Sequence, residues 1–553
     1  MVGWAAIGVL MIAPGAPLAP VPQPAPAPAG AAVDRNQAIQ FAHVVYNASL
    51  LVREYFSHDV DTRSFIAAAI RGLYEEAGLK VPDDVSQAVA RAGENSTELL
   101  NVLVDARVRL GNIAALSGPR SLFAAVNGFK YATDPICGLA SPRVNSFTSV
   151  DMDFDIGLEL DGVSGQRWSI YRMERAVATG ALPPTGIFGP LPRPDAVPSP
   201  ANFPWRVKRV IPGSPAQKAG VRPGDIITHL DSTEVTAKNA NRLFTRFAYP
   251  PGLAIDPNTG QATPHKRTFK FQRAGTAEPI ERTLETQQYA PEAVFGVIRT
   301  REGKWDCMLD RANKIGYIRI GPIEEGADER FGEMLDDLTR KGCRALILDL
   351  RWCPGGYVMP GTRIAGMLLK NNDIIAQVNA RRVPNGFAPL PEVYHATAPF
   401  AGRFPKTPVL LLIGAETTGG GELIAAALQD NHRCTTMGQR SAGRASIQNA
   451  IDIGFGQLQF KVTSGATLRP NGKARGKLPD SKPTDEWGIR PDPGLEVPIT
   501  PDVAKKLRAW ADEQALRPAE SDEALPFDDP RNDPLRAAAL AHLRRQLDKS
   551  KSN

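Results

Sequence analysis

Residues Val409 to Gln448 read VLLLIGAETTGGGELIAAALQDNHRCTTMGQRSAGRASIQ, and this stretch decides what kind of chain it belongs to. Val409–Gly414 is an unbroken apolar run of strand length, the pattern of a buried strand. Gly419, Gly420 and Gly421 make a turn, and a helical run follows from Glu422 to Asp430, ended by Asn431 and His432. A short second strand then leads into a polar loop, Gln439–Gln448. A strand, a tight turn and a helix N-terminus make a common nucleophile platform. Unpaired backbone N–H groups and the positive end of the helix dipole both face the turn.

Glu422, Gln429, Asp430, Gly438, Gly443, Ser446 and Gln448 fall, without gaps, on the pattern T-A-S-A-S-E, a helix ending Q-D, then G-x-x-[ST]-x-G-K-[GA]-[ST]-x-Q. That pattern resembles the core of the carboxyl-terminal processing peptidases (tail-specific proteases), serine peptidases that combine a PDZ domain with a Ser-Lys dyad. The resemblance puts the nucleophile at Gly419, the lysine base at Arg444 and a helper side chain at Gln448. Glycine has no side chain to attack a carbonyl. Arginine keeps its proton at physiological pH and is no general base. The dyad is therefore degenerate at both positions. A phosphate cradle is disfavoured, because no Gly-Lys-[Ser/Thr] follows the glycines at P-loop spacing.

Upstream, Asp349-Leu-Arg-Trp-Cys-Pro-Gly-Gly356 resembles the family's D-L-R-x-N-P-G-G, with Cys353 in place of the asparagine. The resemblance implies an oxyanion hole made by Gly355 or Gly356 together with Gly420. Trp487–Asp492 is similar to the closing G-[IV]-x-P-D motif. Leading into the first of these, Ile315–Ile320, a helical run near Asp328–Lys341 and Ala345–Leu350 alternate strand and helix, which argues for an α/β sheet with parallel strands.

A second unit centres on Val207–Val235. A strand ends at Pro212-Gly213, Ser214 caps a one-turn helix that Gly220 terminates, and Pro223-Gly224 turns into a strand at Asp225–Leu230. The combination G-S-P-A, A-G-V and P-G-D resembles a PDZ domain. Such domains add a peptide C-terminus as a strand at a sheet edge. The resemblance places the carboxylate loop at Ile156, Gly157 and Leu158, with protein C-termini as partners. Two inserts, Ser164–Asn202 and Tyr249–His265, depart from the pattern.

Arg35–Ser141 is helical in pattern: Ile39, Ala42, Val45 and Tyr46, then Phe65, Ile66, Ala69, Ile70 and Leu73 behind an Asp61 cap, then a run over Leu99–Leu110. The tail holds two helical pieces, Val503–Gln514 and Leu535–Leu547, the second with an apolar stripe of Leu540, Leu543 and Leu547 that suits docking on the core.

The fold class expected is thus multidomain α+β. A signal-like segment and Pro/Ala linker (1–33) precede a helical N-terminal region (34–150). A PDZ domain with inserts (151–290), a peptidase-type α/β core (291–500) and a helical tail (501–553) follow.

Composition narrows the function. The 65 basic and 59 acidic residues are spread without a Lys/Arg cluster, so a net charge of +6 does not point to nucleic acid. Five scattered cysteines form neither a disulfide framework nor a metal-ligand spacing, and neither metal nor cofactor is expected. Val2–Ile12 is apolar, of signal-core length and too short to span a bilayer. It suggests export to a periplasm or cell envelope, against a mis-assigned start or a disordered tail. Three functions stand: a non-catalytic peptidase homologue that binds C-termini or partner proteins; an active serine-type endopeptidase with a displaced nucleophile; and a structural envelope protein. For the second, Thr417, Thr418, Ser441 and Ser446 lie near the site in sequence, and a cysteine version would pair Cys353 with His395 or His432. Oligomeric state is open.

Overall fold

A computed structural model describes residues 33–118, 120–134, 136–140, 153–160, 203–240, 243, 266–285, 287–289, 292–300, 304–381, 392–404, 407–453, 459–477, 481–516 and 533–552. The signal-like segment and both inserts lie outside them.

Five helices open the described chain: α1 (Arg35–Tyr55), α2 (Thr62–Glu76), α3 (Asp83–Ala92), α4 (Ser96–Leu110) and α5 (Arg120–Gly128). Asp61 caps α2 by accepting from the Ser64 N–H at 2.8 Å. The α1 stripe is rotated from the expected one: Ala38, Phe41, Ala42 and Val45 are buried, while Ile39 is 39 % exposed. Two of the helices, α3 and α5, were not apparent in the sequence. Helix α5 packs so closely on α2 that a Cβ at Gly72 would lie 2.2 Å from the Ala124 carbonyl oxygen.

Strand β1 (Gly138–Ala140) joins this bundle to a sheet described below. A second, antiparallel sheet follows, in the order β2 (Leu158–Leu160), β3 (Trp205–Val210), β4 (Ile226–Leu230), β5 (Lys266–Gln272) and β6 (Ile280–Glu285). The short helix α6 (Pro215–Lys218) is capped by Ser214 Oγ, which accepts from the Gln217 N–H at 3.2 Å. Trp205, Val207, Phe269 and Phe271 fill this unit's core.

The third layer set is α/β. Its sheet runs β7 (Val294–Phe295), β9 (Ile315–Ile320), β10 (Ala345–Asp349), β13 (Val409–Ile413), β14 (Cys434–Gly438), with β8 (Met308–Asp310) also on β9. The links β9–β10, β10–β13 and β13–β14 are parallel. Helices α7 (Ala327–Arg340), α8 (Val358–Leu368) and α9 (Gly419–Asp430) cover one face through Phe331, Leu335, Ile364, Leu423 and Leu428. The other face is covered from the tail. Beyond α10 (Pro501–Leu516), helix α11 (Pro534–Ser552) lays Leu535, Leu540, Leu543 and Leu547 on Ile315, Tyr317, Ile347, Leu410 and Leu412. Burial on both faces is why the central strands β10 and β13 read as near-continuous apolar runs. The tail is therefore a layer of the fold.

A further sheet orders β1, β16 (Gln459–Leu468), β11 (Ile374–Ala380) and β12 (Val393–His395), with β15 (Ser446–Asp452) paired to β16. The expected loop Gln439–Gln448 ends early, because Ser446 to Gln448 enter β15 and pair with β16. Phe460 and Val462 carry the helical bundle's core onto this sheet. Among the described residues, no helix is long and apolar enough to cross a membrane.

Candidate active site: a glycine turn over a buried ion pair

Strand β13 ends at Ile413, and Thr417 folds the loop back: its Oγ1 donates to the Leu350 carbonyl (2.8 Å) and accepts from the Gly414 N–H (2.9 Å). Thr418 then caps α9 with Gly419 as its first residue, at φ +52°. A Cβ at Gly419 would meet nothing closer than 3.6 Å, so the position has room for a side chain although its backbone is left-handed.

The facing wall is the turn after β10. Gly355 (φ +87°) lies so close to α9 that an added Cβ would sit 2.7 Å from the Gly420 nitrogen. At Gly356 (φ +146°) the Cβ would lie 2.1 Å from the Ile323 carbonyl oxygen. Only glycine fits either place. Among the described residues the N–H groups of Gly356 and Gly420 have no recorded acceptor. They are near neighbours, since a Cβ on Gly420 would be 3.6 Å from the Gly356 nitrogen. Two neighbouring backbone donors at a helix N-terminus are the kind of groups that can hold a carbonyl oxygen or an anion.

Beneath the turn lies Glu422, fully buried. Its carboxylate accepts from Ser441 Oγ (2.5 Å), from the Gly443 and Arg444 N–H groups (2.6 and 2.7 Å), and from the Gly419 N–H (3.2 Å). The fifth donor is Arg475 Nη1, at 3.3 Å. Arg475 is itself 2 % exposed; it also donates to the carbonyls of Arg444 (2.8 Å) and Gly419 (3.2 Å) and to Thr467 Oγ1. Burial lowers its pKa to about 10, with the Glu422 charge pulling the other way, so it remains a cation near neutral pH.

The structure brings Gly419, Gly420, Gly355, Gly356 and the Arg444 backbone together. The Arg444 side chain is exposed. Gln448 turns elsewhere: its Nε2 donates to Thr463 Oγ1, which donates to Asp134 Oδ2 at 2.5 Å. Arg475 was missed in the sequence. It stands in Asn471–Lys477, NGKARGK, whose composition reads as a solvated loop and carries no signal of burial.

The proposed replacements for the nucleophile are differently engaged. Thr417 and Ser441 are buried, Ser441 between Glu422 and the Ile489 N–H (2.7 Å). Thr418 Oγ1 donates to the Pro354 carbonyl at 2.6 Å. Cys353 is fully buried, and burial pushes its thiol up to about 12, with the Gly355 N–H opposing. His432 follows the C-terminus of α9, roughly 18 Å along the helix from Gly419. His395 Nδ1 lies 3.2 Å from the Asn372 carbonyl oxygen.

Ile156, Gly157 and Leu158 lie together at the start of β2, the edge strand of the antiparallel sheet. The Ile156 carbonyl accepts from the Ala216 N–H (3.0 Å) and the Gly157 carbonyl from the Ile211 N–H (2.9 Å), tying the loop to α6 and to the end of β3.

This is the architecture of a PDZ-bearing serine-peptidase fold. Residues 314–492 match the model of peptidase family S41, and residues 206–243 match a PDZ domain. The chain carries a peptidase S41 domain behind a PDZ domain, the domain pair that the sequence resemblance to carboxyl-terminal processing peptidases implies. It is similar to a carboxyl-terminal-processing protease of Synechocystis, 28 % identical over 288 residues, spanning 52 % of this chain and 58 % of that one. It is also similar to the carboxy-terminal processing protease CtpB of Bacillus subtilis, 25 % identical over 47 % of this chain and 48 % of the relative. The chain thus spans about half the length of the curated relatives it matches. Among solved structures, a photosystem II D1 C-terminal processing protease aligns over 88 % of this chain and 99 % of its own, with TM-score 0.38 and 18 % identity.

Proposed function

We propose that this chain is a non-catalytic member of its family that holds polypeptide without cleaving it. The observation that carries the reading is Gly419 at the nucleophile position, above a Glu422–Arg475 pair that engages its backbone from below. No hydroxyl stands where acylation would begin, and the cation nearest that position is a guanidinium, which accepts no proton. Gly356 and Gly420 supply the oxyanion-type donors, so a peptide carbonyl can be held there. The second recognition element is the β2 edge, where the Ile156-Gly157-Leu158 loop takes a C-terminal carboxylate on backbone N–H groups and the peptide extends the sheet. Export to a cell envelope remains part of this proposal, carried by Val2–Ile12 alone.

The test uses the full chain. Peptides with free apolar C-termini are expected to bind and to remain intact over hours, and amidated versions to bind at least about tenfold more weakly, since the donors then face a neutral group. Unfolded protein substrates are expected to survive incubation. Turnover of either, abolished by Thr418→Ala or Ser446→Ala, overturns the reading in favour of a displaced nucleophile. Equal affinity for acid and amide removes the proposed loop.

A further inference from the structure

The two loops that form the glycine site are both gripped by the C-terminal tail, which lies outside the residues matching either family model. On one side is the turn after β10. It includes Arg351 and Trp352. Arg351 is 2 % exposed and forms a bidentate pair with Asp533, Nη1 to Oδ1 at 2.9 Å and Nη2 to Oδ2 at 2.6 Å. It also bonds Asp349 at the end of β10 through Nε and Nη2 and lies over the Trp352 ring at 4.4 Å. Burial would lower the Arg351 pKa, but the two carboxylates outweigh it and hold the guanidinium well above its ordinary value. Trp352 packs against Leu507 and Ala511 of α10. On the other side is the loop after β13, where Glu416 pairs with Arg508 of the same helix. Helix α10 and Asp533 thus touch both walls within a few residues of Gly356 and Gly419.

We propose that the tail is a clamp on the glycine site, with Asp533 as a positioning residue. Acting through Arg351, and together with the α10 contact on Trp352, it holds the Gly355–Gly356 turn against Gly419–Gly420 in the geometry that brings the two free N–H groups together. The physical reason is the fixed geometry of the pair. A planar guanidinium held on two carboxylates has no rotational freedom, and Arg351 is four residues from Gly355. The Glu416–Arg508 pair is half exposed and contributes position more than energy. The importance of the turn rests on its reading as a polypeptide-holding surface; the clamp itself is a statement about conformation and is measured without any ligand.

Hydrogen–deuterium exchange of the full chain tests it. In Asp533→Asn, amides of residues 352–357 and 418–421 are expected to exchange at least about tenfold faster, while α1, α2 and α4 keep their protection. Leu507→Ala, which leaves the ion pairs intact, is expected to loosen the same two segments through Trp352. Unchanged exchange at both segments in Leu507→Ala, or acceleration spread evenly over the whole chain in both variants, overturns the clamp. Should Asp533→Asn fail to fold, Leu507→Ala decides alone. A failure of peptide binding with the local exchange pattern intact removes the proposed function and leaves the clamp standing.

Discussion

Arg475 Nη1 lies 3.3 Å from Glu422 Oε2, and neither side chain is more than 2 % exposed. The pair sits under the first turn of α9, beneath Gly419, the position that the sequence resemblance gives to a nucleophile. A buried pair is weak evidence for stability, because desolvation offsets most of the attraction. Here five donors converge on one carboxylate, so the group is satisfied and fixes four chain segments at one point: Gly419, Ser441, Gly443–Arg444 and Arg475.

Breaking that pair from one side is expected to be costly. Glu422→Gln keeps the volume but removes the charge opposite Arg475. The expected loss is about 3 kcal/mol of core stability, the low end for an orphaned partner of a buried pair. Urea unfolding followed on the core's tryptophans checks it. A change below about 0.5 kcal/mol, the range of an ordinary surface substitution, would show that Arg475 finds solvent or another anion.

Restoring chemistry is expected to need both positions that the sequence resemblance assigns to the dyad. Gly419→Ser places a side chain in open space on a left-handed backbone, at a stability cost of about 1 kcal/mol. The protein as it stands is expected to be unlabelled by a fluorophosphonate probe. Gly419→Ser with Arg444→Lys is expected to label weakly, and either change alone not at all. Strong labelling of the unmodified chain would contradict the non-catalytic reading.

The Asp533–Arg351 pair predicts a pH dependence. Burial would raise the Asp533 pKa, yet the Arg351 charge and hydrogen bonds outweigh it and hold the carboxyl below its ordinary value of 3.8. A carboxyl depressed in the folded state contributes stability that is fully present above 3.8 and is lost as pH falls through the folded value. The stability gap between the native chain and Asp533→Asn is therefore expected to be large at pH 6 and to shrink below pH 3.8. Urea midpoints at the two pH values measure it, and a gap that stays constant would mean the carboxylate's charge is not what matters.

Cys353 is expected to be chemically silent. Its thiol is buried and pushed up to about 12, so the thiolate is scarce at pH 8. Iodoacetamide followed by peptide mass mapping should modify Cys353 only after denaturation. Rapid alkylation in the native state would revive the cysteine-peptidase alternative.

What the sequence by itself determined is local or contiguous. The apolar run Val409–Ile413 forms the expected strand and Ser214 caps α6 as expected, because each outcome is set by neighbours a few residues away, whereas the glycines at 419–421, expected as a turn ahead of a helix from Glu422, are the first turn of α9 itself. The missing hydroxyl at Gly419 and the permanent charge of Arg444 were equally plain, being properties of residue type. The tertiary structure alone decided which remote groups met them. Arg475 comes under Gly419 because β16 runs back beside β15 and returns the chain to α9. Gln448, one turn of strand further, is carried to Thr463 instead. Asp533 reaches Arg351 because α11 must cover the second face of the parallel sheet. No period or motif encodes such meetings. They follow from burying apolar faces at long sequence separation, which brings charged groups together only once the layers have closed.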